Sequence, residues 1–124
     1  MDYFEEDGNR IIYKYKDTCF YKVKIDDMDA SNSSFLEEIV KSILVDDSIK
    51  TIVIDLENVK YLDSTSVGIF IHVQKTAVDK EKNAKMVNIR PSIKTMICVI
   101  GLDEYFNIDE DYFKFPIYSI EDRK

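Results

Sequence analysis

Three consecutive hydroxyl residues follow an aspartate in the segment Tyr61–Gly68, and no other part of the sequence has residue types and spacing so suited to chemistry. Asp63 can cap a helix, because its carboxylate can accept hydrogen bonds from the amides of the first turn. Ser64, Thr65 and Ser66 would then lie in that first turn. Such residues are typical of an ordinary capped helix, but a helix N-terminus also tolerates a phosphate electrostatically. The segment therefore indicates either a structural cap or a regulatory phosphorylation site.

The rest of the chain shows no pattern of an enzyme active site. The single histidine, His72, falls in an apolar-rich stretch and is interpreted as structural, because metal sites and catalytic triads need partners at defined positions. Cys19 and Cys98 form no CxxC motif, which excludes zinc-finger and redox motifs but leaves a single disulfide open. Three glycines are too few for a P-loop or a Rossmann turn. We therefore predict no catalytic residue, no metal site, no cofactor and no enzymatic activity.

The composition is that of one globular domain, and its acidic balance favours a protein partner or plain solubility. The chain has 124 residues, and 17 Lys and Arg against 24 Asp and Glu give a formal net charge of −7. So acidic a chain lacks the clustered cations that bind nucleic acid or anionic membranes. The N-terminus does not read as a secretory signal, and no apolar run reaches the ~18 residues of a membrane span. These features predict a cytoplasmic protein with no direct nucleic-acid binding and no membrane insertion.

Alternation of apolar and polar residues predicts the strands that position the Tyr61–Gly68 segment. Ile11–Tyr15 and Cys19–Ile25 read as a hairpin whose outer face is solvated. The near-continuous apolar run Thr51–Leu56 reads as a central strand covered on both faces. Two further strands are predicted over Lys85–Ile89 and Phe113–Tyr118. The second contains Pro116, which donates no hydrogen bond and therefore belongs at a sheet edge or a strand end.

Helical spacing of apolar residues predicts four helices, starting near residues 33, 64, 91 and 119. The first helix has a choice of N-caps among residues 31–34, and Ser34 with Glu37 fits a capping box. Gly101 is predicted to follow the end of the third helix. The predicted buried face of the second helix comprises Val67, Phe70, Ile71, Ala77 and Val78. Strands that alternate with helices after a hairpin predict an α/β fold, with a mostly parallel sheet packed with about four helices.

Four segments together resemble STAS domains of the anti-sigma factor antagonist (anti-anti-sigma factor) family. They are Asp26–Asp29, Asp55–Val59, Leu62–Gly68 and Arg90–Leu102. The resemblance covers about residues 10–121, so we assign 1–9 to an N-terminal extension and 10–124 to a single STAS-like domain. It implies partner switching in the regulation of transcription: the unphosphorylated antagonist binds an anti-sigma factor that is also a GHKL-type serine kinase and so frees a sigma factor. Phosphorylation dissociates the pair, and a phosphatase resets it.

The resemblance also assigns roles to individual residues. Ser64 matches the phosphoacceptor, with Thr65 as a secondary acceptor. Asp29 matches the aspartate of a loop that lies near the acceptor in relatives and contacts the kinase. Asp26 and Ser66 depart from the family, because both stand where relatives have glycine, and partner identity is expected to differ accordingly. The implied partner-binding residues are Asp29, Asp63, Ser64, Thr65, Ser66 and Gly68.

Two other roles remain open for the same resemblance. One is a scaffold or signalling module of a stress-sensing assembly, in which the serine and threonine turn is modified but the output is assembly. The other is the STAS subunit of a lipid-transport complex, in which the turn contacts an ATPase subunit. A neighbouring gene for a GHKL-type kinase would favour the antagonist, whereas neighbouring permease genes would favour lipid transport.

Overall fold

The computed structural model describes residues 2–115 and shows an α/β fold of three helices and two sheets in that range. The helices are α1 (Ala30–Leu44), α2 (Ser64–Asp79) and α3 (Pro91–Val99). The strands are β1 (Tyr3–Glu6), β2 (Arg10–Tyr15), β3 (Thr18–Val23), β4 (Asp27–Met28), β5 (Thr51–Asp55), β6 (Tyr61–Leu62), β7 (Asn83–Val87) and β8 (Ile108–Asp109). No helix within this range is both long and apolar enough to cross a membrane.

The main sheet has the order β1-β2-β3-β5-β7-β8. Its first three strands are antiparallel neighbours, and β3, β5, β7 and β8 pair in parallel. Parallel neighbours need a crossover connection, and here α1 joins β3 to β5 while α2 joins β5 to β7. A second sheet consists of β4 and β6, also parallel. The predicted hairpin followed by a mostly parallel sheet is therefore confirmed.

The core lies between one face of the main sheet and the helices. Alternate strand residues such as Tyr21, Ile52 and Met86 share one cluster with buried residues of all three helices. Strand β5 is buried on both faces, as its apolar run predicted, because Val53 and Asp55 on the opposite face are also covered. A central position of this kind explains why β5 shows almost no alternation in sequence.

The opposite face of the hairpin is not solvated, contrary to the sequence prediction. Ile11, Tyr13 and Phe115 form a second buried cluster there, with Phe20 and Phe113 packed against it. The Phe20 ring stacks on Phe113 with centroids 5.7 Å apart and meets the edge of Phe115 at 6.3 Å. In the described chain, residues 113–115 form no strand. Residues 116–118 of the predicted last strand, and the fourth helix predicted from Ser119, lie outside the described residues.

Helix α1 starts earlier than predicted and uses a different cap. Its N-cap is Asp29, whose side chain accepts hydrogen bonds from the amides of Ser31 and Asn32, while Asn32 Oδ1 accepts one from the Asp29 amide. This reciprocal pair is a capping box. The predicted box at Ser34 is therefore wrong, since that residue lies inside the helix. Strand β4 holds Asp29 in the extended conformation that a cap needs.

Three other segments can be compared with their predicted boundaries. Strand β7 ends at Val87 rather than Ile89, because Asn88 adopts a left-handed φ of 57°. Gly101 follows α3 with a φ of 79°, which confirms its predicted role as the C′ residue. Tyr3–Glu6, within the segment assigned to an N-terminal extension, pair with β2 as an added strand.

Candidate functional site

The two-stranded sheet places the starts of α1 and α2 side by side. Met28 of β4 pairs with Leu62 of β6, and both side chains are buried. The Asp63 amide then donates a hydrogen bond of 3.1 Å to the Met28 carbonyl oxygen. Asp29 and Asp63 therefore follow directly after paired strand residues, and the two predicted aspartates are brought to the same edge of the fold.

Helix α2 is capped by Asp63, as its position before the hydroxyl residues predicted. Asp63 has extended backbone dihedrals, and its Oδ1 accepts a 2.8 Å hydrogen bond from the Ser66 amide. Its carbonyl oxygen accepts a hydrogen bond from the Val67 amide at 3.1 Å. The first helical residue is therefore Ser64, where the positive end of the helix dipole favours negative charge.

The three hydroxyl residues of this turn do not share one environment. Ser64 and Thr65 are exposed, whereas Ser66 is completely buried. Gly68 lies one turn after Ser64 on the same side of α2. Apart from its chain neighbours and the nearby backbone of its own helix, no described atom would lie within 4 Å of a Cβ built there. The outward surface of the predicted set thus consists of Ser64, Thr65 and the bare backbone at Gly68, whereas the Ser66 side chain points into the interior.

Asp29, the other aspartate of the predicted set, has a carboxylate that is both exposed and engaged. Its Oδ1 accepts hydrogen bonds from the Ser31 hydroxyl at 2.5 Å and from the Ser31 amide at 2.9 Å. These bonds hold the pKa of the Asp29 carboxyl below its ordinary value, because they favour the ionised form. Asp29 therefore brings a fixed negative charge to the edge where α2 begins, and its principal structural task is to cap α1.

One exposed aromatic side chain at this edge was missed by the sequence analysis. Tyr61 of β6 is 58% exposed, because its neighbour Leu62 takes the inward position of that short strand. Asp26 and Lys60 lie close by and form an ion pair of 3.8 Å. The alternation of a polar-tipped aromatic with a buried leucine was the available signal, but two residues are too few to reveal a strand. Tyr61 adds apolar area beside the exposed hydroxyls.

His72 and the two cysteines have no place in this site. His72 is exposed on α2, with Nδ1 3.1 Å from Glu37 Oε2 of α1, so it connects the two helices. Both cysteines are free thiols, Cys19 buried and Cys98 exposed. Burial raises the pKa of the Cys19 thiol to about 12. Within residues 2–115, no three His, Cys, Asp or Glu side chains are grouped so that they could hold a metal ion.

The buried hydroxyl of Ser66 should cost stability. Its Oγ has no hydrogen-bond partner among the described residues, and leaving such a group unpaired costs about 1–3 kcal/mol. We expect Ser66→Ala to raise the free energy of unfolding by about 1 kcal/mol, measured by urea denaturation. The matched control is Ser33→Ala, because Ser33 is equally buried but donates to the Asp29 carbonyl oxygen at 2.7 Å. That control should lose stability, and a loss in both variants would contradict the prediction.

Comparison with known proteins gives a family and a set of relatives. Residues 9–114 match the STAS domain. The anti-sigma-B factor antagonist of Staphylococcus aureus is 28% identical over 92 residues, which are 73% of this chain and 84% of that protein. An anti-sigma factor antagonist from Mycobacterium paratuberculosis has a similar structure, with a TM-score of 0.70, 22% identity and 94% of each chain covered. The Bacillus cell fate determinant SpoIIAA in its phosphorylated form gives a TM-score of 0.63 at 12% identity, with 100% of both chains covered. With the family match extending over most of its length, the chain belongs to the STAS domain family.

Proposed function

We propose that this protein is an anti-sigma factor antagonist, which binds an anti-sigma factor with serine kinase activity until Ser64 is phosphorylated. The observation that carries the proposal is the exposed Ser64 hydroxyl at the first position of α2. The Staphylococcus aureus relative, named as an anti-sigma-B factor antagonist, supports the choice of partner. The switch operates in the cytoplasm, where a phosphatase that hydrolyses the phosphoserine restores binding.

The proposed phosphoryl transfer requires only one functional group from this chain. The kinase supplies ATP and Mg²⁺, so the antagonist needs only a hydroxyl that can enter the kinase active site. The Ser64 oxygen attacks the γ-phosphorus, the bond to the β-phosphate oxygen breaks, and the hydroxyl proton passes to a base of the kinase. Thr65 is also exposed and is the secondary acceptor of the proposal.

The added phosphate should change binding without unfolding the domain. It carries about −1.5 to −2 charges at neutral pH and would lie at a helix N-terminus, where the first-turn amides tolerate an anion. Outward, it adds to the negative charges of Asp29 and Asp63. A partner surface matched to a neutral hydroxyl would then meet repulsion and a strongly hydrated group. A coupling free energy of about 1–3 kcal/mol, or about 5–150-fold in affinity, is enough for an exchange of partners.

The first test locates the phosphate. The protein is incubated with its cognate kinase and ATP, and the modified residue is identified by mass spectrometry. We expect label on Ser64 in the wild type and in Thr65→Ala, and loss of the main label in Ser64→Ala, which keeps only the secondary acceptor Thr65. Ser92 is the internal control, because it is an exposed serine in the first turn of α3. Label on Thr65 alone, on Ser92, or on no residue would overturn the assignment.

The second test measures affinity for the same kinase. Ser64→Ala should bind like the unphosphorylated protein, whereas Ser64→Asp should fold normally and bind about 5–150-fold more weakly. Ser92→Asp, which adds the same charge at the start of another helix, should leave the affinity unchanged. Equal affinities for Ser64→Ala and Ser64→Asp would refute the switch. Titration calorimetry gives the affinities, and circular dichroism checks that each variant is folded.

A further inference from the structure

The last described residues, Tyr112–Phe115, form a strap over the outer face of the main sheet. Phe115 is buried in the second cluster, together with Ile11 and Tyr13, and Phe113 stacks on Phe20 of β3. One side chain at the end of β7 holds the strap. Asn88 Nδ2 donates a hydrogen bond to the Phe113 carbonyl oxygen at 2.6 Å, and Asn88 Oδ1 accepts one from the Phe113 backbone amide at 2.8 Å. A side chain thus makes the two bonds that a neighbouring strand residue would make.

Charged side chains lie at the carboxyl end of β5, next to the strap. Asp55 is fully buried, and no described residue donates a hydrogen bond to its Oδ2. Lys22 of β3 lies 4.0 Å from that oxygen and 3.0 Å from Glu57 Oε1. The other Asp55 oxygen, Oδ1, accepts from the Glu57 amide at 2.9 Å and from Asn88 Nδ2 at 3.2 Å. The same Asn88 amide group therefore contacts both the buried carboxylate and the strap.

The cluster of Lys22, Asp55 and Glu57 is unbalanced, because one cation faces two carboxylates. Asp55 and Glu57 act on each other, and Lys22 from β3 acts on both. Tyr112 from the strap and Arg90 before α3 are the other charged or titratable groups that act on this pair. Lys22 Nζ also lies 5.9 Å from the Phe115 ring centroid, so the strap covers the cation as well. Because Asp55 is fully covered, its negative charge is costly unless it is neutralised.

We propose that Asn88 is a latch that couples the strap to the Lys22–Asp55–Glu57 cluster, so that the strap closes more firmly when the cluster takes up a proton and opens more readily as the pH rises. The coupling is a property of the folded domain and does not depend on the proposed function.

The direction of the pH dependence follows from the two carboxyl groups. Burial raises the pKa of Asp55 above its ordinary value of 3.8. It outweighs the hydrogen bonds from the Glu57 amide and Asn88 and the attraction of Lys22, all of which favour the ionised form. Opening the strap would hydrate Asp55 and lower this pKa, so protonation of Asp55 favours the closed strap. That stabilisation of the closed strap is lost as the pH rises through the raised pKa. Glu57 acts oppositely, because the hydrogen bond from Lys22 lowers its pKa below 4.5. The stabilisation that ionised Glu57 gives to the closed cluster is lost only as the pH falls below 4.5. Above the ordinary carboxyl range, where Glu57 is already ionised, Asp55 therefore decides the direction.

Amide hydrogen exchange of Phe113 tests the proposal in the full chain. After correction for the intrinsic exchange rate, its protection in the wild type should fall as the pH rises through the raised pKa of Asp55, by up to about tenfold per pH unit for one linked proton. Asp55→Asn, which removes the titrating group and keeps its shape, should make the protection independent of pH. The same pH dependence in this variant and in the wild type would overturn the proposal, as would a protection in the wild type that does not change with pH.

Two variants at residue 88 test the latch itself. Asn88→Gly keeps the left-handed backbone available but removes the amide, and should lower Phe113 protection several-fold at every pH. Asn88→Asp can still accept from Phe113 but cannot donate, and its charge would repel Asp55, so it should also lower protection. Asn83→Ala is the matched control at the opposite end of β7 and should have no effect. Equal Phe113 protection in Asn88→Gly and Asn83→Ala would contradict the latch.

Discussion

Replacing Lys22 by methionine is expected to lower the free energy of unfolding by about 3–5 kcal/mol, the usual cost of removing one partner from a buried ion pair. Lys22 is 17% exposed, and its charge lies within 4.0 Å of the buried Asp55 carboxylate. Methionine preserves most of the aliphatic volume of lysine, so the loss would be electrostatic. Without the cation, Asp55 and Glu57 would repel each other, and Asp55 would either carry an uncompensated charge in a covered site or have to take up a proton.

Urea denaturation near pH 7 measures this effect, and two further variants identify its origin. The double variant Lys22→Met/Asp55→Asn should recover a large part of the loss, because it removes the uncompensated charge together with its partner. Lys85→Met is the matched control on the same face of the sheet, where Lys85 forms a 3.1 Å ion pair with the partly exposed Asp109. A more exposed pair of this kind should contribute less than about 1 kcal/mol. Equal losses of unfolding free energy in Lys22→Met and Lys85→Met would show that burial does not increase the cost of removing the cation.

Replacing Met28 by alanine should cost about 2–5 kcal/mol of unfolding free energy, as expected for a large side chain removed from a core. Met28 is 1% exposed and packs in the main cluster. Its carbonyl oxygen also accepts the hydrogen bond of the Asp63 amide, so the cavity would lie directly beneath the start of α2. The variant should therefore loosen the turn that bears Ser64 in addition to destabilising the whole domain.

Two measurements separate these effects. Chemical denaturation gives the stability, and amide exchange at Thr65 and Ser66 reports on the turn under native conditions. Met96→Ala is the control, because Met96 is only partly buried and lies on α3. It should lose less stability and leave exchange in the α2 turn unchanged. If the two methionine variants behaved alike, the short ladder of β4 and β6 would not be what positions Ser64.

Local signals in the sequence predicted the central elements of the fold. Thr51–Leu56 contains its own pattern of a strand buried on both faces, and Asp63 precedes its helix with a suitable capping side chain. Strands β4, β6 and β8 span only two residues each, and such pairs exist only because distant segments meet. The cap of α1 depends on one of those pairs, which explains why Asp29 could be given a role only through the family resemblance.

Single side chains of the site also differ in whether the local sequence or the tertiary fold determines their environment. The exposure of Ser64 follows from its place at the start of a helix, but the burial of Ser66 depends on which side of α2 faces the sheet. The predicted face included Val78, which is 61% exposed. The buried positions 66, 70, 73 and 77 recur at helical spacing. A predicted buried face that began at residue 66 instead of residue 67 would have included Ser66. The cover of the hairpin's outer face came from residues 113–115, which no local pattern could assign to that face.

The pairing of β4 with β6 also has a consequence for how the chain can vary in length. Because the segment between β5 and β6 must return to a fixed partner, a deletion within residues 56–60 would pull the Ser64 hydroxyl out of place. The far ends of α1 and α2 have no such anchor to the acceptor, so inserted residues after Leu44 or Asp79 would leave it undisturbed. Evolution and protein engineering are therefore expected to find room for extra loops at those far ends, and to preserve the spacing from Asp55 to Ser64.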